Sequence, residues 1–362
     1  MINLQCFEPA YTLYPASEMP FLQKQKKWAL EMQPYAGLKI LHNLPITTEV
    51  LFKIEVLAAG GAELTVTNPS FMEPKPIALD ILRAAGIEVQ RSGPFDGPFD
   101  ICLDCCGELL GQVIPRIGAV EITRTGAIRY GGQSLPYPVI SVDDSKVKQL
   151  EAILGTGDAF VRAFQELTEE VIARRKFMVV GYGKVGQGIA HALRAYTQSI
   201  VIVDCHPDAI ATAKRQGFTA VFASDTDRVE AHVTDCLGIV TATGRENVIS
   251  QQFNPQVFKG KYLANMGGED EFGPEFAPHE VMCNKQPINF AIAQPTRMRY
   301  IDPVFYAHNA AIDLLRDSQL QPQVHPFPAP FAEEVVDAWE TYFGAELSTV
   351  LAPQLALAEG AK

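Results

Sequence analysis

The first half of the chain alternates apolar runs with longer, periodically apolar segments. Strand-like runs occur at 38–41, 63–67, 99–103 and 118–122. Helix-like patterns follow the first two runs, at 47–59 and 76–85. Alternating strands and helices predict βα units and a parallel sheet. Gly126 is expected to begin a turn toward a further strand near Tyr137.

The second half predicts another set of βα units. Strands are expected at 177–180, 199–203, 236–241, 261–266 and 288–292, and helices at 158–173, 189–196, 302–316 and 333–342. The proline-rich segment 321–330 is interpreted as a surface connection. The tail at 351–362 has no assigned partner.

These patterns predict an α/β protein with two doubly wound domains. Residues 1–154 would form the first part of a substrate-binding α/β domain, and residues 155–300 a Rossmann NAD-binding domain inserted into it. Residues 301–362 would return the chain to the first domain and end in a C-terminal helix. At 362 residues and 47% hydrophobic content, the chain is long enough for two cores.

The net charge of the chain limits the kinds of molecule that it is expected to bind. The formal net charge is −12 with no basic tract, so neither a nucleic acid nor an anionic membrane is an expected partner. A small-molecule substrate is expected instead. The N-terminal segment has no charged region followed by a long apolar run, and no apolar stretch approaches ~18 residues, which favours a cytoplasmic location.

Seven cysteines in a chain of this size do not suggest a disulfide framework. Cys102, Cys105 and Cys106 are close enough in sequence to suggest a metal site. A zinc site normally needs a second ligand pair, however, and the sequence shows none. No metal is therefore expected, and buried thiols at a strand end are the favoured interpretation.

The most specific motif is the glycine-rich run Gly181-Tyr-Gly-Lys-Val-Gly-Gln-Gly188, which lies between a predicted strand and a predicted helix. Gly181 would permit a tight turn, Gly183 would let backbone approach a pyrophosphate, and Gly186 would let the helix pack on the strand. Asp204 follows about 20 residues later, where a carboxylate would bind an adenosine ribose. The motif predicts a dinucleotide cofactor; the alternative is a glycine cluster that only caps a helix.

Asp204 also favours NAD over NADP. A ribose 2′-phosphate near this carboxylate would be repelled by about 4 kcal/mol at an effective dielectric constant of 20. No arginine immediately follows Asp204 to offset that repulsion.

Beyond the glycine loop, the chain resembles the S-adenosylhomocysteine hydrolase family. The resemblance rests on matches spread over most of the sequence, among them Ser17-Glu-Met-Pro20, Thr47, Glu49, Asp144-Ser145, Lys148, Thr241-Ala-Thr-Gly244, Asn265-Met-Gly267, Asn289 and Val324-His325. It implies two domains and a bound NAD. It also implies that NAD contacts further residues, namely Lys184, Val185, Thr241, Ala242, Thr243, Asn265 and Asn289.

The family's chemistry begins with oxidation of a substrate hydroxyl by NAD and continues through loss of a thiol, addition of water and reduction. The resemblance places Lys148 beside the hydroxyl that is oxidised, as its acid or base. Glu151 would replace a nearby aspartate if one residue is deleted between them. The plainer alternative for Lys148 is a solvated lysine on a helix surface, and Asp144 and Ser145 resemble a helix cap.

Four family positions that handle protons or bind the substrate carry other residues here. Pro45 and Gly268 stand in place of histidines, Cys105 in place of an aspartate and Ile122 in place of a glutamate. An ordinary adenosylhomocysteinase is therefore not expected.

Several residues are candidates for the altered site. His42 would reach the cleft from a strand end, or be an ordinary loop histidine, and Cys105 would act as nucleophile or proton donor. Thr47, Thr123 and Arg124 are expected to bind substrate. Together with Arg297 and Arg299, Arg124 suggests an anionic substrate, although surface arginines balancing an acidic protein are as reasonable. Glu269 and Asp270 would be new acids near the nicotinamide.

The resulting hypothesis is an NAD-dependent, adenosylhomocysteinase-like enzyme that oxidises an alcohol carbon of a small polar substrate, with Lys148 as acid or base. It could act as a net oxidoreductase or within a hydrolase cycle in one-carbon metabolism. Two alternatives stay open: a non-catalytic NAD-binding regulator, and a divergent hydrolase of S-adenosylhomocysteine or a related thioether. The resemblance also implies a homodimer or homotetramer.

Overall fold

The computed structural model describes residues 2–90, 93–95 and 97–344. It forms two units, one spanning residues 2–150 and 297–344 and the other residues 151–296. The second unit thus interrupts the first in sequence, with divisions after residues 150 and 296 where the sequence suggested 154 and 300. No helix among the described residues is long and apolar enough to cross a bilayer.

The twelve strands are β1 (Lys39–Asn43), β2 (Glu63–Thr67), β3 (Glu88–Val89), β4 (Ile101–Asp104), β5 (Gly118–Glu121), β6 (Val139–Ser141), β7 (Lys176–Val180), β8 (Ile200–Asp204), β9 (Thr219–Phe222), β10 (Cys236–Thr241), β11 (Tyr262–Asn265) and β12 (Val324–Pro326) in the described residues. The α-helices in the same part of the chain are α1 (Pro20–Met32), α2 (Val50–Ala59), α3 (Pro76–Ala84), α4 (Arg124–Gly131), α5 (Lys146–Gln149), α6 (Thr156–Thr168), α7 (Lys184–Arg194), α8 (Pro207–Arg215), α9 (Thr226–Val233), α10 (Val248–Gln252), α11 (Pro255–Phe258), α12 (Met298–Asp317) and α13 (Ala329–Phe343).

The first unit is built on a seven-stranded parallel sheet with the order β12-β6-β5-β4-β1-β2-β3. The chain moves outward from β1 through β2 to β3 and then returns to place β4 on the other side of β1. The strand order therefore reverses between β1 and β4. In open α/β sheets, ligands bind outside the carboxyl ends of the strands at such a switch point.

The second unit has a five-stranded parallel sheet with the order β11-β10-β7-β8-β9. Apolar side chains cover both faces, because parallel strands with helices on both sides alternate between two cores. Phe177 and Val179 of β7 lie in one core, and Met178 and Val180 lie in the other. The switch point of this sheet lies between β7 and β10, and the predicted Rossmann fold is confirmed.

Two glycines let α6 and α7 approach each other closely. A Cβ atom on Gly157 would lie 2.3 Å from the carbonyl oxygen of Gly188, and one on Gly188 would lie 1.9 Å from that of Ile153. Ile153 belongs to a π-helical segment, Leu150–Gly155, that leads into α6. The last glycine of the glycine-rich run therefore serves helix packing.

Four expectations about elements need correction or fall outside the described residues. Gly126 lies inside α4 rather than at the start of a turn. The expected strand at 288–292 is a 3-10 helix, Ile288–Ala291, and the proline-rich connection contains the short strand β12. The tail at 351–362 lies outside the described residues.

Candidate functional site

The glycine loop between β7 and α7 has the shape that a dinucleotide phosphate requires. Gly181 has a φ of +97°, and a Cβ there would lie 2.5 Å from the carbonyl oxygen of Ala242. A Cβ on Gly186 would lie 1.9 Å from the carbonyl oxygen of Gly181. These two glycines are required by the packing of the loop itself.

Gly183 differs from both, because a Cβ there would meet no atom within 4 Å. Packing within the protein therefore does not explain why this residue is a glycine. Gly183 is also the N-cap of α7, and no side chain caps this helix. The first amides of the helix, at Lys184 and Val185, thus face a space where an anion could bind. The residues present fit a pyrophosphate.

Asp204 ends β8, and its carboxylate bridges two backbone amides. One oxygen accepts the N–H of Tyr182 at 2.6 Å, and the other accepts the N–H of His206 at 2.8 Å. Each carboxylate oxygen has a second acceptor site, so the group can still receive hydroxyl donors. The half-buried carboxylate therefore links the glycine loop to the next strand and fits a ribose.

The segment after β10 is held by Glu271, a buried acid that the sequence analysis missed. Its carboxylate accepts the N–H of Thr243 at 2.9 Å, the Thr243 hydroxyl at 2.8 Å and the N–H of Gly244 at 2.8 Å. Burial raises the pKa of Glu271, and these hydrogen bonds oppose the rise. The one signal of Glu271 in the sequence is the run of three acidic residues that begins at Glu269.

Asn265, at the end of β11, uses its whole amide within the unit. Its nitrogen donates to the carbonyl oxygens of Glu269 at 2.7 Å and Lys285 at 2.8 Å. Its oxygen accepts the N–H of Gly267 at 3.0 Å and the Thr241 hydroxyl at 3.3 Å. The amide therefore positions the loop after β11, and its expected contact with the cofactor stays a prediction.

Asn289 is also buried, but it lies in the 3-10 helix rather than in a strand. Pro287, just before this helix, forms a parallel bridge with Asn265. The bridge brings the segment that carries Asn289 to the carboxyl end of β11. Its contact with NAD stays a prediction.

One group of three potential metal ligands lies beside the same strand end. The donor atoms of Asp204, Cys205 and His206 lie within 4.8 Å of one another. Cys205 and His206 are exposed, and exposed groups of this kind are common in proteins without a metal. We assign no metal to this group.

In the first unit, the switch point between β1 and β4 is marked by Asp104. The buried Asp104 accepts a hydrogen bond from the Asn43 amide at 2.8 Å and another from the Tyr130 hydroxyl at 2.7 Å. It also accepts the backbone amides of Cys105 and Leu109. Burial raises the pKa of Asp104 to about 6, against the effect of these donors.

Glu121 lies opposite Asp104 on the neighbouring strand, β5. Its carboxylate accepts the hydroxyl of Thr123 at 2.7 Å and the N–H of Gly107 at 2.9 Å. Burial and the nearby Asp104 charge raise the pKa of Glu121 well above its ordinary value. A Cβ on Gly126 would lie 2.1 Å from the Glu121 carboxyl carbon, so glycine makes room for this acid.

The other predicted residues of the first unit occupy varied environments. Cys105 follows β4 and is 4% exposed, and a hydrogen bond to Cys106 together with burial raises its pKa. Thr123 is the N-cap of α4 and accepts the N–H of Gly126 at 3.1 Å. Thr47 is buried between β1 and α2, whereas Arg124 is exposed.

Two of the arginines suggested as anion-binding groups lie near α12. Arg299 forms an ion pair with Glu18, and the Arg299 guanidinium is the main cause of a lowered Glu18 pKa. Arg297 is the N-cap residue of α12 and adds to the same shift. Because Glu18 already pairs with Arg299, an anionic substrate at this arginine stays a prediction without structural support.

Lys148 lies in the short helix α5, and Glu151 lies in the π-helical segment that follows. Ser145 caps α5 by accepting the N–H of Lys148 at 3.3 Å, which confirms the predicted cap. Burial is the main cause of a strongly lowered His308 pKa, and the charges of Lys53 and of the half-buried Lys148 add to it. Lys148 is thus not a fully solvated surface lysine.

The interpretation of His42 needs correction. It lies within β1, is completely buried and has no hydrogen-bond partner for either ring nitrogen. Burial is the main cause of its strongly lowered pKa, and Lys53 and His308 contribute to it. A fully buried ring does not fit a group that must meet a substrate, so we remove His42 from the catalytic candidates.

Comparison with known proteins agrees with this geometry. Residues 152–277 match the family model described as S-adenosyl-L-homocysteine hydrolase, NAD binding domain. The matched range starts within the π-helical segment before α6 and includes the glycine loop, Asp204, the segment after β10 and Glu271.

Curated relatives extend the similarity beyond that domain. An adenosylhomocysteinase from Thermococcus kodakarensis is 28% identical over 278 residues, covering 70% of this chain and 65% of that protein. An S-inosyl-L-homocysteine hydrolase from Methanopyrus kandleri is 27% identical over 278 residues, covering 70% of this chain and 64% of that protein. The chain thus spans slightly less than two thirds of either relative.

Among solved structures, a dipicolinate synthase chain from Bacillus halodurans is similar with a TM-score of 0.46 and 12% identity, covering 77% of this chain and 98% of that one. The sequence similarity, the glycine loop and the acid that ends β8 all lead to one assignment. Residues 152–277 form an NAD-binding domain like that of S-adenosyl-L-homocysteine hydrolase, NAD is the cofactor, and the chain beyond this domain is similar to adenosylhomocysteinases.

Proposed function

We propose that this protein is an enzyme in which bound NAD oxidises an alcohol carbon of a small polar substrate. The observation that carries the proposal is Gly183, which faces open space at the uncapped start of α7 and lies in the same loop as the packing-constrained Gly181. NAD supplies the hydride acceptor, and the helix amides and Asp204 would hold its pyrophosphate and ribose. A glycine loop that can bind a dinucleotide is what an enzyme with bound NAD requires.

The first unit would supply the substrate site, at the switch point between β1 and β4. Buried acids support the carboxyl ends of β4 and β5 there, and they hold the loop with Cys105 and the start of α4 with Thr123. Pro45, where the resembling family has a histidine, cannot exchange a proton, and Ile122, where that family has a ribose-binding glutamate, cannot accept a hydrogen bond from a hydroxyl. The proposed reaction is therefore limited to steps that the remaining groups can perform.

Lys148 would accept the proton of the substrate hydroxyl as hydride leaves the carbon. A neutral amine is required for this step. A hydrogen bond to Cys106 and burial raise the pKa of Cys105, so this thiol would act as a proton donor in alcohol oxidation. Thr47, Thr123 and Arg124 would contact the substrate, and Glu151 would assist Lys148.

The direct test is a single-turnover measurement of NADH absorbance. NAD-loaded protein would be mixed with nucleosides, with S-adenosylhomocysteine and with S-inosylhomocysteine. We expect one substrate to reduce the bound cofactor, and Lys148→Met to slow that step at least ~100-fold, the usual range for loss of a general base. Lys146→Met is the matched control, because this lysine lies on the same helix and pairs with Glu333.

An unchanged rate in the Lys148→Met protein would exclude the lysine as the base. If no alcohol reduces bound NAD, the proposal fails and a non-catalytic NAD-binding role is favoured instead. Both outcomes are read from the same absorbance trace.

A second candidate is a divergent hydrolase of an S-nucleosyl-homocysteine. The names of two relatives favour it, since one acts on the adenosyl and the other on the inosyl compound. A thiol assay separates the two functions: hydrolysis releases homocysteine, whereas net oxidation leaves the thioether intact and accumulates NADH.

A further inference from the structure

Two adjacent cysteines, Cys105 and Cys106, follow β4 at the switch point of the first unit. Their sulfur atoms lie 3.8 Å apart. We propose that they form a redox-active dithiol, in which Cys106 attacks a small disulfide and Cys105 then closes an internal disulfide. This chemistry goes beyond the proposed alcohol oxidation and does not involve NAD.

The two thiols differ in accessibility in the way that such a pair requires. Cys105 is 4% exposed, whereas Cys106 is half-buried and reaches solvent. Cys106 is therefore the more accessible residue of the pair and would be the first to meet a dissolved disulfide. A buried thiol beside an accessible one is suited to resolve a mixed disulfide, since it attacks only after the first bond has formed.

The backbone of Cys106 is held in an uncommon conformation. Its φ is +63°, a value that non-glycine residues rarely adopt. Three hydrogen bonds support it: the N–H donates to the Thr123 hydroxyl at 2.9 Å and to the Glu121 carboxylate at 3.2 Å, and the carbonyl accepts from Arg129 at 2.8 Å. Backbone strain that surrounding contacts maintain is typical of functional sites.

The electrostatic environment assigns the same roles. The Cys105 thiol donates to the Cys106 sulfur, which lowers the pKa of Cys106 against the effect of burial. The same interaction and burial raise the pKa of Cys105. The thiolate is the reactive form of cysteine, so Cys106 is the attacking sulfur.

The reaction balances without a further oxidant. The Cys106 thiolate attacks one sulfur of RSSR, forms a protein–SR bond and expels a first thiolate. Cys105 gives its proton to this expelled thiolate and, now a thiolate itself, attacks the Cys106 sulfur, forms the Cys105–Cys106 bond and expels a second thiolate. The two cysteine protons end on two RSH molecules, and two electrons pass from the protein to the small disulfide.

The test uses the full-length, reduced protein and oxidised glutathione as the disulfide. The reaction would be stopped with N-ethylmaleimide under denaturing conditions and mapped by peptide mass spectrometry. In the wild type we expect a Cys105–Cys106 disulfide, with Cys102, which is 1% exposed, recovered as its maleimide adduct. It should form at least tenfold faster than any glutathione adduct at the exposed Cys205.

The variants separate the two roles. Cys105→Ser should accumulate a stable glutathione adduct at Cys106, because nothing resolves it. Cys106→Ser should leave Cys105 reduced, and Cys102→Ser should behave like the wild type. The proposal is overturned if wild-type Cys106 keeps its glutathione or reacts no faster than Cys205. The wild-type map alone decides this, even where a variant does not fold.

Discussion

At the scale of single residues, Gly183 differs from the other glycines of the loop, because the packing of the loop does not require a glycine there. It lies exposed at the start of α7, and its φ of −72° is open to any residue. Gly186 lies one turn later, where a Cβ would clash with the carbonyl oxygen of Gly181. We therefore expect an alanine at Gly183 to weaken cofactor binding and an alanine at Gly186 to destabilise the fold.

We expect Gly183→Ala to change the free energy of unfolding by no more than about 0.5 kcal/mol, as for an ordinary surface position. It should weaken NAD binding at least tenfold, since a methyl group would stand where the pyrophosphate approaches. Gly186→Ala should instead destabilise the fold by roughly 1–3 kcal/mol, the usual cost of overpacking. Urea denaturation and calorimetric NAD titration measure the two effects, and unimpaired NAD binding by Gly183→Ala would contradict the assignment of this loop.

Residues of the NAD loop could be predicted because their spacing in sequence reflects one local structure. Gly181, Gly183 and Asp204 belong to a single strand-turn-helix-strand unit whose phosphate chemistry requires that spacing. Asn43, Asp104 and Glu271 could not be predicted in the same way. Their roles depend on strand order and on loops that return from distant parts of the chain, and no local pattern encodes either.

At the scale of elements, α1 depends on a side chain from another helix. Its own N-cap residue, Met19, provides no side-chain cap. Both oxygens of Asp302, on α12, accept the backbone amides of Phe21 and Leu22 at 2.9 Å. Burial raises the pKa of Asp302 to about 8, although these two hydrogen bonds oppose the rise.

Because the pKa of Asp302 is raised in the folded state, the free energy of unfolding depends on pH. Above about pH 4 the unfolded chain releases this proton, whereas the folded protein keeps it up to about pH 8. The folded state therefore binds more protons in this window, and the Asp302 contribution to stability falls as pH rises, by at most about 1.4 kcal/mol per pH unit.

We expect Asp302→Asn to remove this pH dependence between about pH 4 and pH 8 while keeping one acceptor for α1. Asp302→Ala should lose both hydrogen bonds and destabilise the fold by roughly 2–4 kcal/mol. Asp317→Asn, at the exposed end of α12, serves as control. Urea denaturation at several pH values gives the slopes, and equal slopes for the wild type and Asp302→Asn would rule out the buried acid as their source.

Long elements with a clear apolar period were predictable, and short ones were not. Segment 288–292 is apolar enough for a strand, but it folds as a 3-10 helix beside β11. Gly126 suggested a turn, although its small size is what admits Glu121 beneath α4. In both places, tertiary contacts override the local preference of the sequence.

At the scale of the whole molecule, the chain pairs a family-typical NAD unit with a first unit in which several family positions have changed. The second unit keeps the strand order, the glycine loop and the terminal acid of β8. In the first unit, Pro45 and Cys105 stand where the resembling family has a histidine and a catalytic aspartate, and Ile122 stands where it has a ribose-binding glutamate. The chain therefore keeps the residues that bind the cofactor and has lost several of those that act on the substrate in the resembling family.

The central claim is that the second unit binds NAD and selects it through Asp204. Calorimetric titration of the purified full-length protein with NAD and with NADP tests this most directly, with Asp204→Ser as the comparison. We predict one NAD per chain, NADP binding at least tenfold weaker, and loss of most of that preference in the variant, because the carboxylate repels a 2′-phosphate. Equal affinity for NAD and NADP in the wild type, or no binding of either, would contradict it.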